Sequence, residues 1–322
     1  MKNIKLRVKS AIILFAILIP FLFTTYFGKT SGKIIGISFF SVISVWATYE
    51  VLSHSILKRW ENIFLSIISI LIWAFPLDWY ANNPSDVNTF VSMAQKTGFN
   101  IFELTQQIKK TIFFGYNQIA NFGLIQFSLI LTIISLFYLI NLFLLKRTFK
   151  EFIISYIVAV FATWFIPLSF KALFLYNSAS LYFVFAVVSI PVITDSTAYI
   201  GGSLFGRKLI KVGMAPKISP KKSWEGGFIG FAFGSLFVFI TMYLGFLTNN
   251  QTFTIFTNWK QLVVGMFLLP FVSIIGDLVF SLIKRLYGIK DFSNLIPGHG
   301  GYMDRFDSTS FVVIATSAIL FI

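Results

Sequence analysis

Cysteine is absent from the 322 residues, which excludes disulfides and thiolate-held metals. Charge is nearly as scarce: Asp, Glu, Lys and Arg make up 12% of the chain, where an average domain carries about a quarter. Acidic residues are the rarer sign, 12 against 26 basic, and histidine occurs only as His54 and His299. A chain this poor in charge cannot cover a water-facing surface. Apolar side chains fill it instead, 57% of all residues and 41 of them Phe, for a mean hydropathy of +0.82.

These values describe an all-α polytopic membrane protein. Apolar runs suited to a hydrocarbon core of about 30 Å lie at roughly 11–27, 34–53, 62–80, 122–145, 152–170, 179–200, 227–247, 261–283 and 308–322. They predict about nine transmembrane helices, the last one short. The first run follows Lys2, Lys5, Arg7 and Lys9 as a signal peptide would, but no small-residue cleavage site follows, so a retained helix is expected. A cytoplasmic N-terminus places 19 of the 26 basic residues on inner segments, which is where such loops collect Lys and Arg. The net charge of +14 is therefore mainly a topology signal, with attraction to anionic lipid second, and no nucleic-acid partner is needed to explain it.

The two halves differ. Residues 1–178 have short loops with little polar chemistry, apart from an outer segment near 81–121. There Phe90, Val91, Met93, Ala94, Phe99, Ile101, Phe102, Leu104 and Ile108 recur at helical spacing, which predicts an amphipathic helix on the outer membrane face. Residues 179–322 hold two glycine-rich charged inner loops, 201–226 and 284–307, and are expected to form the catalytic transmembrane domain. No internal repeat announces a transporter built from two related halves.

The first loop joins Gly201, Gly202, Gly206, Arg207 and Lys208 to Ser219, Lys221, Lys222, Ser223, Gly226 and Gly227. Glycines let backbone amides approach a phosphate, hydroxyls donate to it, and lysines supply charge, so the set suits an oligophosphate. Asp195 precedes it at the inner end of an apolar run, where an ionised carboxylate costs roughly 2.5–3.5 kcal/mol unless paired or hydrated. Pairing with a loop lysine is the structural alternative. The next span carries Asp277, Ser281 and Lys284 at i, i+4 and i+7, one helix face. After it, Pro297, Gly298, His299, Gly300 and Gly301 force a turn that returns Asp304, Arg305 and Asp307 to the membrane surface. Asp277, Asp304 and Asp307 can thus converge, and a few carboxylates with waters and substrate phosphates describe a Mg²⁺ site. Helix capping by Asp304 or Asp307 and a turn-stabilising role for His299 are the plainer readings. His54 receives no role.

The run Ser281, Lys284, Arg285, Lys290, Asp291, Pro297, Gly298, His299, Gly300, Gly301, Asp304, Arg305 and Asp307, at these spacings, closely resembles the signature of phosphatidate cytidylyltransferases. Gly276-Asp277-Leu278 and the stretch from Ile218 to Gly226 also look like family motifs, so the resemblance covers about residues 190–310. Thr197 stands where the family loop has Gly, Ser203 where a basic residue is common, and Tyr302 where an aliphatic residue or Phe is usual.

The resemblance implies the reaction of CTP with phosphatidate to give CDP-diacylglycerol and pyrophosphate, at the plasma membrane with the active site facing the cytoplasm. It implies Asp277, Lys284 and Asp304 as catalytic residues. Mg²⁺ would sit on Asp277, Asp304 and Asp307, with a second cation left open. Substrate would be bound by Asp195, Ser219, Lys221, Lys222, Ser223, Ser281, Arg285, Lys290, His299 and Arg305, Arg285 and Arg305 being assigned to the lipid headgroup. The family further implies a homodimer. A CTP-dependent polyprenol kinase, a CDP-alcohol phosphotransferase and a secondary transporter using Asp195 and Asp277 are the competing classes. The first would need a base for its alcohol, and the second an Asp-Gly and Ala-Arg spacing that is absent.

Overall fold

The computed structural model describes residues 2–74, 90–113, 122–144, 148–248, 250, 253–298 and 300–322. The first half contains α1 (Lys2–Phe27), α2 (Lys29–Leu52), α3 (Arg59–Ile68), α4 (Phe90–Gln95), α5 (Ile101–Ile108), α6 (Phe122–Leu144) and α7 (Phe149–Ala179). The second contains α8 (Leu181–Phe205), α9 (Trp224–Thr248), α10 (Trp259–Leu286) and α11 (Met303–Ile319). Helix starts follow local chemistry. The side chains of Thr148, Asn258 and Asn100 accept the N–H three residues on, closing the first turns of α7, α10 and α5.

Among the described residues six helices are long and apolar enough to cross a membrane: α2, α6, α7, α8, α9 and α10. They correspond to six of the nine expected runs; the other three fall on α1, on α3 with residues beyond it, and on α11. Helix α1 runs from Lys2 to Phe27, and the stretch of it whose side chains are all described, Ile12–Phe27, is apolar. The run expected at 62–80 tightens into a 3₁₀ turn, Ser69–Trp73, after α3. In α11, 17 residues long, Ser308, Thr309, Ser310, Thr316 and Ser317 are buried in the protein, so its pattern is that of an internal helix. Residues 75–89 and 114–121 of the outer segment, Lys146 and Arg147 lie outside the described residues. The described part of that segment is amphipathic, but Met93, Ala94, Leu104 and Ile108 are buried, with α4 packed on α2 and α5 on α7. These four side chains are covered by protein, while Phe102 is exposed.

Small residues set the closest approach. Gly226, Gly230 and Gly234 form an i, i+4 stripe on α9, and a Cβ at Gly230 would lie 2.6 Å from both the Ala198 Cβ and the Thr194 carbonyl oxygen. Helix α8, which carries Asp195, is thereby held against α9. Helix α11 packs on α10 and α7, where Phe306 stacks on Phe170 at 4.1 Å and Phe311 meets Phe165 at a tilt, 4.6 Å between ring centres. Two buried lysines tie helices together away from the charged loops: Lys33 Nζ donates to the Thr25 and Ser178 carbonyls (2.8 and 3.2 Å), Lys171 Nζ to that of Ile72 (2.8 Å).

Candidate active site

Both glycine-rich loops lie at one end of the bundle, and each is pinned by a carboxylate. The first runs from Gly206 to Ser223. Glu225, in the first turn of α9, accepts the backbone N–H groups of Arg207, Leu209 and Ile210 at 3.1, 2.9 and 2.8 Å. The chain can turn there because Arg207 adopts a left-handed φ of 62°. Arg207 also donates to the Pro220 carbonyl across the loop. An Ala215–Ser219 bridge closes the tip, and the Lys222 carbonyl accepts from Met214 N–H at 3.0 Å.

The second loop, between α10 and α11, is closed by a matching Ile296–Gly300 bridge, with Gly298 and Gly300 at φ 77° and 88°. Its centre is Asp304, 6% exposed. One carboxylate oxygen accepts from Lys284 Nζ at 2.8 Å, the other from the N–H groups of Phe292 and Gly301, both at 2.8 Å. Lys284 Nζ also lies 3.9 Å from Asp307. Arg285 joins the two loops, donating to the carbonyls of Ile218 (3.1 Å) and Ile289 (2.8 Å).

Between the loops and the helices is a cavity of about 360 Å³, lined by Asp195, Tyr199, Lys221, Lys222, Ser223 and Asp277 among others. Lys222 Nζ is 2.6 Å from Asp277, whose other oxygen accepts from Ser281 Oγ at 3.1 Å. Asp195 accepts from Ser308 Oγ at 3.2 Å, which links the cavity to α11. Asp195, Asp277 and Asp307 are close enough to repel one another, and Lys222, Lys284 and Arg305 offset that charge.

The donor set is one of hard carboxylate oxygens, which suits Mg²⁺. Among the described residues no group of three or more His, Cys, Asp or Glu side chains closes on a single ion position. An ion there would take one or two carboxylates and complete its shell from water and phosphate, the usual arrangement for Mg²⁺. The Lys222 ammonium already stands beside Asp277 as a cation, so on this test the residues fit. Asp304 fits least, because both of its oxygens are engaged by protein donors.

Of the residues expected from sequence, Asp195, Lys221, Lys222, Ser223 and Asp277 line the cavity. Ser281, Lys284, Asp304 and Asp307 form the layer behind it. Ser219 is part of the first loop's closing bridge. Arg285 faces backbone carbonyls, while Lys290 and Arg305 are exposed. His299 lies outside the described residues. Three residues with no predicted role reach this layer: Glu225, His54, whose Nε2 is 2.7 Å from the Phe292 carbonyl, and Glu50 of α2. Glu50 lies near the inner end of an apolar run as Asp195 does, so the cost of burying a carboxylate was a signal available for it.

The family model described as "Cytidylyltransferase family" matches residues 5–322. Relatives named phosphatidate cytidylyltransferase include those of Haemophilus influenzae (39% identity over 119 residues, 37% of this chain and 38% of the relative) and Mycobacterium bovis (41% over 151 residues, 46% and 45%). The one from Aquifex aeolicus is 34% identical over 179 residues, 56% of this chain and 60% of the relative. The chain thus matches about two to three fifths of the length of these relatives. With two loops of matching construction around a carboxylate and lysine cavity, and a family model matched almost end to end, the chain belongs to the cytidylyltransferase family.

Proposed function

We propose that this protein transfers the cytidylyl group of CTP to phosphatidate, yielding CDP-diacylglycerol and pyrophosphate. One observation carries the reading: the cavity lined by Lys221, Lys222, Ser223, Asp195 and Asp277 lies against the Ser281–Asp307 elements of the family signature. The relatives bearing the phosphatidate cytidylyltransferase name support it.

The chemistry asks for little beyond charge and position. Phosphatidate brings its own nucleophile, a phosphate oxygen. That oxygen attacks the α-phosphorus of CTP, the bond from the α-phosphorus to the β-bridging oxygen breaks, and pyrophosphate leaves with its electron pair. No Ser or Cys nucleophile is required. The barrier is the approach of two anions in line, so cations and preorganised geometry do the catalysis. Lys221, Lys222 and Ser223 bind the triphosphate. Lys284, held by Asp304 and Asp307 (2.8 and 3.9 Å), supplies positive charge to the reacting phosphates from the layer behind the cavity. Arg305, exposed at the start of α11, takes the phosphatidate headgroup, whose acyl chains stay in the bilayer. Arg285 keeps the two loops in register through its carbonyl contacts.

Mg²⁺, held by Asp277 and Asp307, would neutralise charge on the α-phosphate and the departing pyrophosphate. Asp304 acts behind them, fixing Lys284 and the turn. The protein lies in the plasma membrane with both loops in the cytoplasm, supported by the basic residues gathered there, and works as a homodimer, as the resemblance implies.

The test uses purified protein in mild detergent with phosphatidate, Mg²⁺, and CTP labelled separately at the α- and γ-phosphates. Appearance of α-label in lipid and γ-label in pyrophosphate supports the reading. Passage of γ-label to an added polyprenol would replace it with a kinase, and absence of transfer from folded protein would refute it.

A further inference from the structure

We propose that Glu50, in the hydrophobic first half of the chain, is a positioning residue for the catalytic loop of the second half. The residue is 2% exposed. One oxygen accepts from Ser293 Oγ at 2.7 Å, Tyr302 N–H at 3.0 Å and Trp46 Nε1 at 3.3 Å; the other accepts from Met303 N–H at 2.9 Å. Among the described residues no Lys, Arg or His forms an ion pair with it. A buried carboxylate is tolerable only if its charge is offset, and here the offset comes from donors at the N-terminus of α11, where the helix dipole favours an anion.

The placement is specific. Three consecutive N–H groups, those of Gly301, Tyr302 and Met303, would be left without helical partners at the start of α11. Asp304 takes the first and Glu50 takes the other two. Gly301 is needed for that approach, because a Cβ there would lie 2.6 Å from the Glu50 carboxylate and 2.9 Å from Ser293 Oγ. One turn along, His54 holds the Phe292 carbonyl at 2.7 Å, while the N–H of Phe292 is held by Asp304. Ser10 of α1 donates to the Pro297 carbonyl at 3.1 Å. The loop presenting Asp304 and Asp307 is therefore gripped at its start, middle and end by residues some 240–290 positions away. Rotating or sliding α11 would move Asp304 and Asp307 relative to Lys284 of α10 and to the cavity, and displacement of a catalytic group by about 1 Å can cost on the order of 10²-fold in rate.

The activity arm rests on the cytidylyl-transfer reading; the structural arm does not. Glu50→Gln keeps the shape of the side chain but removes its charge and sets an NH₂ against N–H donors. Hydrogen exchange by mass spectrometry is expected to accelerate by on the order of 10-fold in peptides covering 287–307, with peptides from α8 and α9 unchanged. In the transfer assay kcat should fall by about 10–100-fold, with the KM for CTP within about threefold of wild type because the Lys221–Ser223 loop is untouched. Glu50→Asp, which retains the charge, should recover part of the loss in both readouts. If Glu50→Gln unfolds the whole protein, Ser293→Ala, which leaves the Glu50 carboxylate in place and removes the Ser293 bond to it together with the longer one from Leu295 N–H, should give the same local pattern at smaller size. Unchanged exchange in 287–307 for a folded variant overturns the proposal, as does a loss expressed only in the KM for CTP. A wild type inactive in cytidylyl transfer would sink the functional reading while leaving the exchange result to decide the role of Glu50.

Discussion

Replacing Asp304 by Asn should destabilise the loop between α10 and α11 more than replacing its partner Lys284 by Met, and the two changes together should cost less than their sum. The side chains of Asp304 and Lys284 are 1% and 10% exposed and 2.8 Å apart. Removing one partner of such a buried pair costs about 3–5 kcal/mol, because it strands the other charge. Asp304→Asn leaves the Lys284 ammonium facing an amide, with only Asp307 at 3.9 Å to compensate. Lys284→Met leaves the Asp304 carboxylate still accepting from Phe292 and Gly301 N–H, so its penalty belongs at the lower end. At 1.36 kcal/mol per tenfold, a loss of about 3 kcal/mol shifts the packed loop population by on the order of 10²-fold. The double variant should reveal a coupling of about 1–3 kcal/mol. Equilibrium unfolding in mixed micelles, followed by Trp fluorescence, measures all four corners of the cycle. Wild-type stability in Asp304→Asn, or strict additivity, would refute the anchoring role and return Asp304 to direct contact with metal or nucleotide.

Lys222→Met should raise the KM for CTP on the order of tenfold, while stability changes by no more than about 1 kcal/mol because the Lys222–Asp277 pair is partly exposed; steady-state kinetics beside a melting curve checks both. Gly230→Val should destabilise by at least about 1–3 kcal/mol, since its side chain meets the Thr194 carbonyl and Ala198 on α8; the yield of folded protein in size-exclusion chromatography reports it. Arg285→Ala should free the Ile218 and Ile289 carbonyls and speed tryptic cleavage within 207–222, with the helices still resistant. Chelation of divalent ions should abolish transfer and leave the unfolding curve in place, with activity restored by Mg²⁺.

Spacing alone made the α10 face legible: Asp277, Ser281 and Lys284 fall on one side of the helix, and the Ser281–Asp277 bond follows. The phosphate-suited loop was legible in the same way, from Gly, Ser and Lys packed into one segment whose Lys221, Lys222 and Ser223 line the cavity. Glu50 and His54 escaped because their partners, Met303 and Phe292, are more than 230 residues distant and meet only through the packing of α2 with α11. The carbonyl contacts of Arg285 were not legible: its guanidinium suits phosphate, and in the fold its Nε and Nη1 donate to the carbonyls of Ile218 and Ile289. Six of the nine expected spans are long apolar helices among the described residues; α3 and α11 are short helices, and Thr316 and Ser317 of α11 bond within the helix, a detail that run length does not carry. Lys33 and Lys171 look like ordinary outer charges in the sequence and turn out to be buried donors at helix carbonyls.

The central claim, that a lipid phosphate oxygen attacks CTP in the cavity beside Asp277, is tested most directly by the fate of that oxygen. Phosphatidate enriched with ¹⁸O in its phosphate should give CDP-diacylglycerol that retains all of the label and pyrophosphate that contains none, with product lost in Asp277→Asn. Label in the pyrophosphate, or full activity without the Asp277 carboxylate, would contradict it.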